Sequence, residues 1–323
     1  MSCISAHPVA QQAQYQARRA ALLAQLMEPT LKPRGIRRIL HGFSSATDAL
    51  LRSIWQAMRI GNRATLIAVG GYGRRQLFPH SDVDLLILVG EDAPTAAIEA
   101  FIACCWDAGL KLSSSVHTPG GCLASCAQDI TLQTSLLEAR RLAGSTQLFA
   151  ALTQAHAEQL DVRAFVQDKL LELHQRHTRH EHTPYALEPD CKESPGGLRD
   201  LHLVLWLARA AHLGGSWREL AERGLATAYE LRRIEHNEAM LCLIRARLHT
   251  VAGRHEDRLV FDLQAAVAQT FGLSDVQGTG GRWLRASEQL MRRYYWAAKA
   301  VSQLTQILLL EIEERVQPST APL

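Results

Sequence analysis

Nowhere in the 323 residues do eighteen apolar residues run without a charge, so no helical membrane span is expected. The N-terminus also lacks the basic, then apolar, then small-residue succession of an export signal. An excess of one charge is missing too. The 35 Lys and Arg against 32 Asp and Glu leave a net +3, too little to make nucleic acid or a membrane surface an expected partner. The seven cysteines (Cys3, Cys104, Cys105, Cys122, Cys126, Cys191 and Cys242) are odd in number and have no scaffold rhythm, which points to reduced thiols and a cytoplasmic location. Two phosphate-binding loops are excluded as well. No Gly-Lys-Ser/Thr closes a glycine run, and Gly71 and Gly73 lack the third glycine of a dinucleotide fingerprint.

What is present is ordinary globular composition, 47% apolar and 21% charged, with one unusual stretch. Leu66 to Val69 read as a strand that ends at Gly70 and Gly71, where the chain turns sharply and a ligand can approach backbone unobstructed by a Cβ. A short helix from Tyr72 to Leu77 then offers N-terminal amides to an anion, of which phosphate is the obvious candidate. Val83 to Val89 form a second strand with Asp82 and Asp84 at its mouth. Side chains alternate along a strand, so the two carboxylates share a face and repel unless a cation sits between them. Oxygen ligands beside a phosphate site favour Mg²⁺ or Mn²⁺ over zinc.

Around this stretch the pattern predicts an α+β protein of two units, residues 1–155 with a small sheet and N-terminal helices, and residues 156–317 all helical. Ala10 to Met27 and Phe43 to Arg59 read as helices. Pro94 to Ala108 follow as a helix and Leu110 to Val116 as a third strand, a β-α-β-α-β layout that leaves the Asp pair at a sheet edge. From Asp129 onward helix is expected almost to the end, Thr131 to Leu142 included. One loop interrupts it, Tyr185 to Asp200, where Pro, Gly and charge concentrate.

Gly70-Gly71-Tyr72-Gly73-Arg74 followed by Ser81-Asp82-Val83-Asp84 at the start of an apolar strand resembles the signature of the polymerase-beta-like nucleotidyltransferases. The loop Leu187-Glu188-Pro189-Asp190-Cys191-Lys192-Glu193-Ser194-Pro195-Gly196-Gly197-Leu198-Arg199-Asp200 narrows the resemblance to the bacterial protein-PII uridylyltransferases. Residues 256 to 264 and the closing helix with Met291, Arg292 and Tyr294 add to it. That family implies transfer of UMP from UTP to a tyrosine of the nitrogen regulatory protein PII, with Mg²⁺. On this chain the resemblance implies that Gly70, Gly71, Arg74 and Ser81 hold phosphates and that Asp82 and Asp84 hold metal. Asp190, Lys192, Gly196, Gly197, Arg199 and Asp200 would shape the wall where nucleotide or acceptor is read.

Departures from the pattern keep other readings open. Arg75 and Gln76 stand where the family commonly has Gly and Glu, and Lys111 stands where it commonly carries an acid. Losing one such electrostatic stabiliser costs about 3–4 kcal/mol, or roughly 10² to 10³ in rate. A catalytically impaired nucleotide- or PII-binding remnant, or transfer to another protein acceptor, are the alternatives. The sequence given has no His-Asp dipeptide and ends before the phosphohydrolase and sensing domains into which the family continues, so UMP removal is not expected of it. Three constellations have plainer explanations. His174, His177, His180 and His182 suit a polar helix end, Cys122 and Cys126 with His117 lack a fourth zinc ligand, and Gly278 to Arg282 suit a flexible connection.

Overall fold

The computed structural model describes residues 6–277 and 283–317. Cys3 and the Gly278 to Arg282 stretch lie outside them. Two compact units emerge. One takes the chain up to Ala24 together with Arg38–Leu160, and the other takes Gln25–Arg37 together with the chain from Asp161 onward.

The first unit begins with α1 (Ala6–Met27, to residue 24) and α2 (Ile36–Ala57, from residue 38). In α2 the apolar residues recur every three or four positions, so Ile39, Leu40, Phe43, Leu50, Leu51 and Ile54 all face inward and are buried. A four-stranded sheet follows, built from β1 (Ala64–Ala68), β2 (Val83–Val89), β3 (Leu112–His117) and β4 (Arg140–Gly144) in the order β3-β2-β1-β4. Its helices are α3 (Gly70–Gly73), α4 (Thr95–Asp107), α5 (Pro119–Cys126), α6 (Ile130–Leu137) and α7 (Thr146–Gln159). Every residue of β1 is buried, which fits its place between two neighbours. On one face Ile67, Leu86 and Leu88 pack with Cys122, Cys126, Leu136 and Leu152. These thiols serve as small apolar groups.

Three expectations are corrected here. The helix after the glycines is a single turn, Gly70–Gly73, and β1 pairs with β2 antiparallel, Leu66 opposite Ile87, so the crossover is the one through α4 to the parallel β3. The Asp pair stands at the mouth of an interior strand, because β2 lies between β3 and β1. Finally, Thr131 to Leu142 is not one helix. It breaks after Leu137, and Arg140–Gly144 pairs antiparallel with β1. The arginines and leucine there are good helix formers, and the free side of β1 overrides that local preference.

The second unit holds α8 (Val162–Arg179), α9 (Leu198–Ala210), α10 (Trp217–Glu222), α11 (Ala228–Ala252), α12 (Phe261–Thr270), the two-residue strands β5 (Val276–Gln277) and β6 (Trp283–Leu284), and α13 (Ala286–Val316). Local sequence sets the helix ends. Asp161 accepts the Arg163 and Ala164 amides, Thr227 and Glu230 make a capping box, and Gly253 closes α11 in the left-handed region. Leu290, Tyr294, Ala298, Val301, Leu308 and Ile312 give α13 a continuous buried face. Segment 25–37 is joined to this unit by Arg247, fully buried, whose guanidinium donates to the carbonyls of Leu26 (3.0 Å) and Glu28 (2.7 Å). No helix among the described residues is long and apolar enough to cross a membrane.

Candidate active site

Gly70 turns in the left-handed region, φ +57°, and a Cβ placed there would lie 3.3 Å from Asp84 Oδ2. The first carboxylate of β2 therefore faces the glycine turn, and the Val69 amide, donating to the Asp84 carbonyl at 3.1 Å, fixes the two chain segments together. Asp82 lies one residue before β2 begins and is exposed. Gly71 is open enough that its nearest neighbours would be the Arg74 guanidinium and the Gln76 carbonyl, each 3.6 Å from its Cβ position. Ser81 is half-buried in the turn leading to Asp82.

A buried scaffold holds this turn from beneath. Tyr72 donates to Asp48 at 2.6 Å, and burial and the Asp48 charge together push its phenol well above the ordinary range. Arg140 grips the same carboxylate with two bonds of 2.7 and 3.0 Å, and it also donates to the carbonyls of Tyr72 and Gly73, each at 3.3 Å. Arg74 is held by the buried carboxylate of Glu138 and by Gln76. Gly73 permits the close fit, since a Cβ there would stand 2.2 Å from the Glu138 carbonyl. Asp48, Glu138 and Arg140 were not expected from the sequence. They lie far from the motif along the chain, and an isolated acid in an amphipathic helix carries no local signal.

Next to the Asp pair, β3 runs parallel to β2 with Val83 opposite Leu112, and the Val83 amide donates to the Lys111 carbonyl at 2.7 Å. Lys111 thus falls alongside Asp82 in the register, and its side chain is exposed.

The second motif belongs to the second unit, where it is a tightly bonded loop. Asp190 accepts the amides of Lys192 (2.8 Å) and Glu193 (2.7 Å). Gly196, at φ +77°, abuts α13 so closely that a Cβ would meet the Ala298 carbonyl at 2.1 Å, and a Cβ on Gly197 would meet the Lys192 and Ser194 carbonyls at 2.7 Å. Asp200 is buried and accepts from Arg176 (2.7 Å), His177 (3.0 Å) and the Gly196 amide (2.7 Å). Burial alone would raise its pKa, but His177 and Arg176 outweigh that and lower it. Arg199 forms a two-nitrogen pair with Glu193, and the Lys192 ammonium lies 3.5 Å from the same carboxylate. Burial, and then Arg199, lower the lysine's pKa.

This loop is tied to the other resembling segments. Asp190 and Arg258 form an antiparallel bridge, Glu188 pairs with Arg258 and accepts the Phe261 amide, and the hydroxyls of Tyr294 and Tyr295 donate to the carbonyls of Asp190 and Ala186. Asp257, missed from sequence, binds Arg245 through both oxygens (2.7 and 3.0 Å) and also accepts from His249 (2.8 Å) and His255 (3.2 Å). His249, His255 and Asp257 have the donor spacing of a metal site, but the guanidinium on both carboxylate oxygens makes the group an ion-pair node. Among the described residues the four histidines near the end of α8 form no metal-spaced group: His177 turns to Asp200, His180 to Ser194, and His182 to Thr178 and, edge to face, to the His174 ring.

A strand and glycine turn facing a carboxylate at the start of the next strand is the architecture of the nucleotidyltransferase class. Comparison with known proteins narrows it. Residues 164–309 match the family model described as GlnD PII-uridylyltransferase. The chain is 49% identical over 327 residues to a bifunctional uridylyltransferase/uridylyl-removing enzyme of Burkholderia pseudomallei strain K96243, an alignment covering 99% of this chain and 37% of that protein. It is also 49% identical over 321 residues to the protein of the same name from Burkholderia vietnamiensis strain G4, covering 98% and 36%. The chain is thus similar to these uridylyltransferases along nearly its whole length, and its second unit matches the PII-uridylyltransferase family model. It spans little more than a third of the length of these curated relatives.

Proposed function

We propose that this chain carries the uridylyl-transferring activity, moving UMP from UTP to a tyrosine hydroxyl of PII with release of pyrophosphate. The observation that supports it is the Asp84 carboxylate turned onto Gly70, within a chain half identical to named uridylyltransferases. In this reading Gly70 and Gly71 admit the triphosphate against bare backbone. Arg74, oriented by Glu138 and Gln76, places its guanidinium beside Gly71 to bind a phosphate oxygen, and Ser81 helps to fix it. Lys192 and Arg199, steered by Glu193, contact nucleotide or acceptor.

The donor set fits a hard divalent cation. Asp82 and Asp84 offer oxygen alone, one exposed and one half-buried, two residues apart where β2 begins. Mg²⁺ or Mn²⁺ held there would neutralise phosphate charge and lower the pKa of the acceptor hydroxyl. Free thiols at six buried positions support a reducing, cytoplasmic setting.

The test is transfer of labelled UMP from UTP to PII by wild type, Asp82→Asn and Asp84→Asn. Both variants should keep the wild-type circular dichroism and lose transfer by about 10² or more. Undiminished transfer in either would remove that residue, and undiminished transfer in both would remove the reading.

A further inference from the structure

We infer that a pocket in the first unit, walled by Arg19, His80, Ser81 and Lys111, binds a small phosphate-like anion. It is a cavity of about 150 Å³ between α1, α2 and the turn that leads into β2. Phe43, Leu77 and Leu110 supply its apolar sides. Size limits the occupant. Drug-sized ligands fill roughly 300–1,000 Å³, so the smaller enclosed part of this pocket suits a single phosphate group.

Charge selects the sign. Arg19, Lys111 and His80 line the cavity, and among the described residues its lining includes no carboxylate. Arg19 and Lys111 are the two charges, while burial and then those two cations lower the pKa of His80 and keep its ring neutral near pH 7; an anion between the two cations relieves their repulsion. One of the two cations is held by its side chain, the other by its backbone. The Arg19 guanidinium donates to the Pro79 carbonyl at 2.8 Å, using one of its five N–H groups, and the Lys111 backbone is fastened to Val83 at the head of the sheet. Ser81, and Tyr15 on the α1 side, add hydroxyls to the lining. Lys111, which from the metal's side is a charge of the wrong sign beside Asp82, has here a favourable role. The inference does not rest on the chemistry proposed for the Asp pair.

The experiment is calorimetric titration of the 323-residue protein with inorganic phosphate, without divalent ions, at constant ionic strength set with chloride. Wild type should bind phosphate saturably. Lys111→Gln, which alters an exposed side chain, and Arg19→Gln should each weaken binding about tenfold or more, with melting curves confirming that both remain folded. Arg218→Gln, at an exposed position of the second unit, should leave phosphate binding unchanged. Absence of saturable binding in wild type would overturn the inference. So would loss of binding in Arg218→Gln with retention in Lys111→Gln, or displacement of the phosphate by UMP.

Discussion

The Asp84 carboxylate oxygen lies 3.3 Å from the point that a Cβ on Gly70 would occupy, in a backbone conformation that side chains rarely adopt. The glycine and the acid therefore constrain one another, and Gly70→Ala tests both effects. The left-handed conformation costs about 1–2 kcal/mol with a side chain present, and the added methyl presses on the carboxylate. We expect a melting temperature lowered accordingly, and UMP transfer reduced further than the lost folded fraction explains. Thermal melts and transfer rates on the same preparation separate the two.

Lys111→Glu reverses the charge alongside Asp82 and restores the sign that the family commonly has there. Transfer should rise, up to about 10²-fold if the position contributes one full electrostatic stabiliser. Phosphate binding at the cationic pocket should fall in the same variant. A rate assay at fixed Mg²⁺ and a phosphate titration read the two changes independently.

Asp48 neutralises Arg140 and accepts from Tyr72 under the glycine turn. Asp48→Ala leaves a largely buried guanidinium without its counter-charge, a change that costs about 3–5 kcal/mol. Urea denaturation should show a lower midpoint with an unchanged slope. Asp48→Asn, which keeps an acceptor, should lose less.

Arg75 sits at φ +63°, where the resemblance has glycine. Arg75→Gly removes about 1–2 kcal/mol of strain and gives back about 0.5–1 through the more flexible unfolded chain, so a small net stabilisation is expected. The Arg75 contact with His41, 3.2 Å and exposed, is too weak to reverse the sign. Differential scanning calorimetry should show the melting temperature rise.

The second unit should lose stability in acid in two stages. Burial pushes the His249 pKa down to about 4, below its usual 6.5, so between those values the unfolded chain binds the extra proton and stability falls as pH drops. Asp257 has a depressed pKa, burial being outweighed by His249 and Arg245, so its contribution persists through that window and is lost only in stronger acid. The first stage is worth at most about 1.4 kcal/mol per pH unit. His249→Gln should flatten the dependence of melting temperature on pH between 6.5 and 4 and leave the lower stage in place.

Much of this was legible in the sequence, for reasons that individual residues make plain. Gly70 encodes the turn locally, and the apolar run from Val83 encodes the strand that carries Asp84. The ends of α8 and α11 follow from Asp161, Thr227, Glu230 and Gly253. What escaped notice depends on partners distant in sequence. Arg140 to Gly144 looks helical until β1 offers it an edge, and Asp48 becomes important only when Tyr72 and Arg140 arrive. Asp200 and Gly196 also read as members of a binding wall. Their side-chain contacts and Cβ space are taken up by Arg176, His177 and the Ala298 backbone, so within the second unit they brace the loop that carries Lys192 and Arg199.

The bridge between Asp190 and Arg258 joins points about seventy residues apart. Closing a loop of that length carries an entropic cost, so the bridge is expected to form after the local contacts of α9, α10 and α11. Once made, it acts as a clasp. A protease cut at the Gly214-Gly215 turn between α9 and α10 should leave two pieces that still migrate as one particle under native conditions and separate only in denaturant.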